Sequence, residues 1–290
     1  MLCRDNWINI SWDGAPSRSG PENIQVDFLK KCNKILPFQD ACDIVAQDIA
    51  SRYDNLFITF SGGCDSENVV NTFLRNKIPF TVLMITYDQA RRSDQQHEQW
   101  FARHWCRQHN ITPLEISVSK YIETPQEHKK FIEYRPRMPF GLTTSSILLD
   151  IAEEYDANLI TGNQLEYYPD YEQMTYLEPQ LGNYQGFVFE ETDFYLETIT
   201  PNRHPWAFYY WSPEIMASFV NEWNTSLNMQ ENKSVIYGVS PRPKMTYPID
   251  LYSKDVFTLR KNIAKKWGTI DCALLSTKTQ LLDKLVNHYN

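Results

Sequence analysis

The chain has 290 residues and a formal net charge of −8, from 28 basic and 36 acidic side chains. That balance excludes broad coating of nucleic acid, which depends on neutralising phosphates with lysine and arginine. A hydrophobic content of 42%, with 14% aromatic residues, is ample for a buried core and excludes a disordered chain.

Residues 1–36 carry turn signals ("DGAPSRSGPEN") and read as an irregular arm. A helix is predicted after Pro37, where Ala41, Ile44, Val45 and Ile49 recur at helical spacing. "NLFITF", Asn55 to Phe60, is a continuous apolar strand of the kind buried on both faces of a parallel sheet. Asp65 to Asn76 reads as a helix with Val69, Val70, Phe73 and Leu74 on one side. "PFTVLMITYD" is a second strand, and the segment after Ser93, a good N-cap, a second such helix. "TPLEISVS" is a third strand. A basic stretch, "HKKFIEYRPR", and a loop precede a helix over "TTSSILLDIAEEYD". "ANLITGNQ" is a fourth strand that ends in a glycine turn at Gly162. Strict alternation over 55–163 predicts an α/β fold with a doubly wound parallel sheet. Beyond 165 the expected elements are helices over 213–228, 253–267 and 275–289, a mostly helical extension. The expected division is an arm over 1–36, a nucleotide-binding domain over 37–165 and an extension over 166–290.

No apolar run approaches the roughly 18 to 20 residues that cross a bilayer. Met1 to Gly14 has no apolar leader core, so a soluble cytoplasmic protein without a membrane partner is expected. The six cysteines show no C-x-x-C pair, which argues against a zinc ribbon or local dithiol. His97, His104 and His109 do not share one helical face, so they suggest no metal site.

The chemistry gathers at "SGGCDS", Ser61 to Ser66, between the first parallel strand and its helix. A loop there emerges at the carboxyl edge of the sheet, where such folds bind ligands. Glycines let backbone N–H groups approach a ligand, and the helix N-terminus behind them favours an anion. The pattern is neither G-x-x-x-x-G-K-[ST] nor G-x-G-x-x-G.

With an apolar strand before it, this loop resembles the pyrophosphate-binding loop of the PP-loop ATP pyrophosphatases, over about 110 residues from 55 to 165. The resemblance implies ATP as cofactor, with Ser61, Gly62, Gly63 and Ser66 on its β and γ phosphates. It implies Asp65 as a ligand of Mg²⁺, which one carboxylate plus phosphates can hold. The end of the second strand, which includes Thr86, would meet the adenine. Thr161, Gly162 and Glu166 resemble the family's second strand-end motif. Arg135, Arg137, Lys244 and Lys254 are candidates to offset charge on leaving pyrophosphate.

The function so implied is adenylation of a small-molecule or modified-base-precursor substrate, with release of pyrophosphate. Tyr167, Tyr168, Tyr171, Tyr176 and Tyr184 are candidates to stack on a planar acceptor. Residue 2 is Leu where glutamine-dependent asparagine synthetases carry a catalytic cysteine, and Cys272 stands apart from any cluster. The subfamily therefore stays open. Two alternatives stand beside the main reading. One is a silent nucleotide-binding or assembly protein, with Trp7, Trp12, Trp206, Trp211 and Trp223 making contacts to itself or a partner. The other is a sulfur-handling or phosphoadenylylsulfate reductase-like enzyme using Cys64, Cys106 or Cys272.

Overall fold

The computed structural model describes residues 7–12, 24–86, 93–117, 143–163, 165–168, 186–190, 205–240 and 272–288. Four short apolar strands form its centre: β3 (Leu56–Thr59), β4 (Thr81–Thr86), β5 (Leu114–Ser117) and β6 (Asn158–Ile160). Two strands precede them, β1 (Ile8–Trp12) and β2 (Ile24–Phe28). The four central strands pair in parallel in the order β5-β4-β3-β6. Phe57, Ile58, Leu83, Met84 and Leu159 are buried, as a sheet covered by helices requires. The covering helices among the described residues are α1 (Phe38–Arg52), α2 (Cys64–Arg75), α3 (Ser93–Gln108) and α4 (Thr143–Glu154).

The strand order places the site. From β3 the chain builds outward through β4 to β5, then returns to add β6 on the other side of β3. β3 and β6 therefore flank a topological switch point, where connections leave in opposite directions and open a crevice at the carboxyl ends. The Ser61–Ser66 loop follows β3, and Thr161–Gly162 follows β6. Thr161 extends this edge by a parallel bridge to Ala207. Its amide and hydroxyl both donate to the Trp206 carbonyl, at 2.5 and 2.7 Å.

The arm differs from its sequence reading: β1 and β2 form an antiparallel hairpin with Ile8 opposite Phe28. Trp7 beside it is fully buried and donates its indole N–H to the Tyr210 carbonyl at 3.1 Å. Those contacts lie some 200 residues away in sequence, which is why local turn signals conceal the hairpin.

The helix expected over 213–228 ends at Glu222 as α5 (Pro213–Glu222), and a helix that the sequence reading did not include, α6 (Met229–Tyr237), follows it. Trp223 turns extended, with φ −63 and ψ 126. Asn228 then caps α6 in a full capping box with Glu231. The helix expected over 275–289 is instead β9 (Cys272–Ser276) followed by α7 (Lys278–Leu285). "CALLS" is a short apolar run, ambiguous by itself; pairing with β8 (Gly186–Glu190) decides it. β7 (Glu166–Tyr168), β8 and β9 form an antiparallel sheet in that order. The helix expected over 253–267 lies outside the described residues.

One apolar cluster joins Trp7 of the arm, α1, α2, the 3₁₀ turn Phe208–Tyr210, α5 and α7. α1 begins without a side-chain cap of its own; Glu222 at the end of α5 accepts from the Phe38 amide at 2.7 Å. Asp48 of α1 accepts from the Trp211 indole at 2.7 Å and pairs with Arg52. Trp7, Trp206, Trp211 and Trp223 all belong to the buried interior, and the Trp12 side chain lies outside the described residues. No described helix is long and apolar enough to cross a membrane.

Burial holds the thiols protonated. It pushes Cys42 up to about 12, and Cys32 and Cys106 up to about 11. Raised folded values mean that the unfolded chain binds fewer protons once pH exceeds the ordinary value of 9.0. Stability from these thiols is therefore complete below pH 9 and is lost as pH rises towards 11 and 12. Urea midpoints should hold level up to about pH 9 and fall above it. A midpoint that rises over that interval would contradict the burial of these thiols.

Candidate functional site

The loop is built by backbone geometry. Gly62 has φ of 96°, a conformation that side chains rarely adopt. Gly63 then opens α2 in an extended conformation with no side-chain cap. The two serines brace the turn: their hydroxyls lie 3.1 Å apart, Ser61 Oγ accepts from the Gly63 amide, and Ser66 Oγ donates to the Gly63 carbonyl. A helix N-terminus so presented has the polarity to receive an anion.

Gly162 explains the other wall. A Cβ there would lie 2.8 Å from Ser66 Cα and 3.0 Å from Ser66 N. Those are backbone atoms that cannot swing aside, so the end of β6 approaches the first turn of α2 only because residue 162 has no side chain. Thr86 stands at the carboxyl end of β4 and donates its hydroxyl to the Ile116 carbonyl at 3.3 Å. Ser61–Ser66, Thr86 and Thr161–Gly162 thus share one edge of the sheet. The Glu166 side chain, and all of Arg135, Arg137, Lys244 and Lys254, lie outside the described residues.

Asp65 is the centre of a network that sequence reasoning missed. Its Oδ2 accepts from Lys233 Nζ at 2.8 Å, and its Oδ1 accepts from the Tyr237 hydroxyl at 2.5 Å. Its carbonyl accepts from the Tyr209 hydroxyl at 2.8 Å. Asn68, one turn along α2, donates to the Tyr209 oxygen at 3.0 Å. Burial first, then the negative charge of Asp65, holds both phenols well above their ordinary value. They remain neutral donors. The rings of Tyr209 and Tyr237 stack at 5.9 Å, and Phe38 stacks on Tyr209.

Lys233 and Tyr237 lie four apart on α6 and so share a face. Gln230, one turn earlier, accepts from the Cys64 thiol at 3.8 Å, and Gln39 bonds both Asn68 and the Ile236 carbonyl. α6 is therefore keyed to α2 along its length. A signal existed in the sequence: N-x-x-E at Asn228–Glu231 announces the helix. Nothing local says that its Lys233 faces Asp65.

These donors bear on a cation at Asp65. Both carboxylate oxygens already accept from fixed groups, one an ammonium with a side chain only 5% exposed. Among the described residues no group of three or more His, Cys, Asp or Glu could hold a metal, so a cation at Asp65 would take its other ligands from phosphate and water. The described residues do not fit a carboxylate-bound Mg²⁺.

The tyrosine-rich segment separates. Tyr167 is buried and packs on Phe187 and Trp223, with centroids 5.1 and 5.4 Å away, so it belongs to the core and is not open to a planar acceptor. The Tyr168 side chain and Tyr171, Tyr176 and Tyr184 lie outside the described residues. Cys64 and Cys106 are buried thiols outside any disulfide; the Cys272 side chain lies outside the described residues.

A parallel sheet with a glycine loop and a helix behind its central strand is the arrangement that the sequence resemblance implies. No family model and no curated protein matches the chain. Solved structures similar to it include the U34-tRNA thiolase NcsA of Methanococcus maripaludis with its [4Fe-4S] cluster, at 14% identity and TM-score 0.42, covering 85% of this chain and 77% of that one. An NMN synthetase of Francisella tularensis aligns at 12% identity and TM-score 0.33, covering 83% and 99%. An NH3-dependent NAD synthetase of Campylobacter jejuni aligns at 15% identity and TM-score 0.32, covering 44% and 56%.

Two substitutions report on this construction. Gly162→Ala should destabilise the protein by about 1–3 kcal/mol in urea unfolding, because it overpacks backbone against backbone. Tyr237→Phe keeps the ring packing and removes one donor from Asp65, with an expected cost of about 1–3 kcal/mol in the same measurement. An unchanged midpoint for Gly162→Ala would show that β6 does not approach α2 this closely.

Proposed function

We propose that this chain is an ATP-using PP-loop enzyme that adenylates a small-molecule acceptor and releases pyrophosphate. The observation that carries the reading is the Ser61–Ser66 turn at the switch point, with Gly62 at positive φ and α2 opening behind it uncapped. Amides at a helix N-terminus and neighbouring hydroxyls suit the oxygens of a polyphosphate. Thr86 at the carboxyl end of β4 supports an adenine on the β4 side of the loop.

In the reaction, an acceptor oxygen attacks the α-phosphorus, the α–β bridging bond breaks and its electrons leave with pyrophosphate. The protein's part is chiefly positioning and charge stabilisation. Lys233 is the cation that the loop meets within the described residues, and Arg135, Arg137, Lys244 and Lys254 remain candidates for the acceptor side. The acceptor class is a small metabolite or modified-base precursor, supported by the acidic net charge, which disfavours a large nucleic-acid partner.

The alternative without turnover is favoured by one observation: both carboxylate oxygens of Asp65 accept donors from α6. The sulfur-handling reading draws less support, since Cys106 is buried with its thiol pushed up to about 11 and Cys64 is buried against Gln230. Isothermal titration with ATP, followed by an assay for pyrophosphate, separates these. Wild type should bind ATP, and Ser61→Ala/Ser66→Ala should weaken it by about tenfold or more, the loss of two hydroxyl partners. Binding without pyrophosphate across a panel of acceptors would favour the silent alternative. Absence of binding would remove the nucleotide reading.

A further inference from the structure

Asp65 is the acidic residue of a loop whose resemblance implies a magnesium ligand, yet its surroundings are those of a carboxylate already neutralised. Lys233 Nζ lies 2.8 Å from Oδ2 with its side chain 5% exposed, against 27% for Asp65. The ammonium is out of water while the carboxylate is partly wet, so Lys233 depends on Asp65 as its counter-charge. The ammonium is placed by a rigid helix. Asn232 beside it is 1% exposed, donates to the carbonyls of Asn224, Leu227 and Asn228, and accepts from the Asn224 amide. On the following side Ser234 donates to the Val239 carbonyl. Both neighbours tie α6 to the chain around it.

Consider what a divalent cation would meet. At an inner-sphere distance of about 2.1 Å from Oδ2, magnesium would lie within about 5 Å of the Lys233 ammonium. It would approach a carboxylate whose charge is balanced, through low-dielectric surroundings that magnify the repulsion between like charges. On Oδ1 it would displace or crowd the neutral Tyr237 hydroxyl, itself fixed by stacking between Tyr209 and Phe219. A phosphate oxygen meets the opposite situation. It is an anion arriving at a helix N-terminus and hydroxyl donors, with the Lys233 ammonium bonded to Asp65 in the turn behind them.

We infer that this loop takes a nucleotide polyphosphate without a divalent cation on Asp65, with Lys233 supplying the positive charge that the cation would otherwise bring. Asp65 then acts as a positioning residue that holds Lys233 at the loop. The inference rests on the nucleotide reading of the site, and it parts from a metal-ligand role in the affinity of the wild-type protein without a divalent cation and in its dependence on Lys233. Removing the carboxylate charge takes away a repulsion with the polyphosphate, so binding of metal-free nucleotide is kept or strengthened.

The test is calorimetric titration of the full-length protein with ATP, once in excess EDTA and once in excess Mg²⁺. The expected result is affinity in EDTA within about threefold of that in Mg²⁺ or tighter, as charge pairing through an ammonium allows. Asp65→Asn, confirmed folded by its thermal transition, should bind ATP in EDTA at least as tightly as wild type. Lys233→Met should lose about tenfold or more in EDTA, and Lys233→Arg should recover part of it. Binding that appears only with Mg²⁺, or that Asp65→Asn abolishes, overturns the inference and leaves the nucleotide reading in place. No binding of ATP in either buffer overturns both.

Discussion

Asp65 sits in the first turn of α2, and each oxygen of its carboxylate takes a donor from α6. Around that bond much of the site is organised. The ammonium of Lys233 and the phenol of Tyr237 can reach it only if α6 lies along α2, and α6 lies there because Asn228 starts the helix and Gly238 ends it in a left-handed turn. Tyr209, from the turn beside α5, completes the shell by bonding the Asp65 carbonyl. Three separate stretches of chain thereby meet at one residue of a strand–loop–helix unit.

The same arrangement links stability to site geometry. A charged carboxylate at the edge of a core would be costly if its partners were removed one at a time, since each leaves a polar atom unsatisfied. The aromatic stack of Phe38, Tyr209, Phe219 and Tyr237 keeps water out and the phenols neutral. Hydrophobic packing and polar satisfaction act together here: the rings fix where the hydroxyls point, and the hydroxyls fix where Asp65 points. The sheet contributes the other wall. Because β6 returns to the far side of β3, its glycine can lie against the opening turn of α2.

Much of the α/β unit is legible in the sequence, for a physical reason. Strands such as Leu56–Thr59 and Thr81–Thr86 are buried on both faces and must be continuously apolar, while α1 and α2 must repeat apolar residues at helical spacing. Both demands are local. The hairpin of the arm, the division of α5 from α6 and the identity of β9 are less so. β9 is a strand because β8 pairs with it, and the hairpin is held by Trp7 reaching Tyr210 across the fold. Tyr167 illustrates the same limit: a tyrosine in a polar, turn-rich stretch resembles a ligand-facing residue until Phe187 and Trp223 are seen around it.

The loop itself was determined by the sequence: two glycines between an apolar strand and a helix, with hydroxyls and a carboxylate at set spacing, have few other uses. That Gly62 needs positive φ follows from its position in the turn. What only the tertiary structure decided is the company the carboxylate keeps. Lys233 and Tyr237 are 168 and 172 residues from Asp65, and no periodicity or motif spans that distance. Charge and hydrogen bonding act over a few ångströms in space, and folding alone converts separation along the chain into proximity.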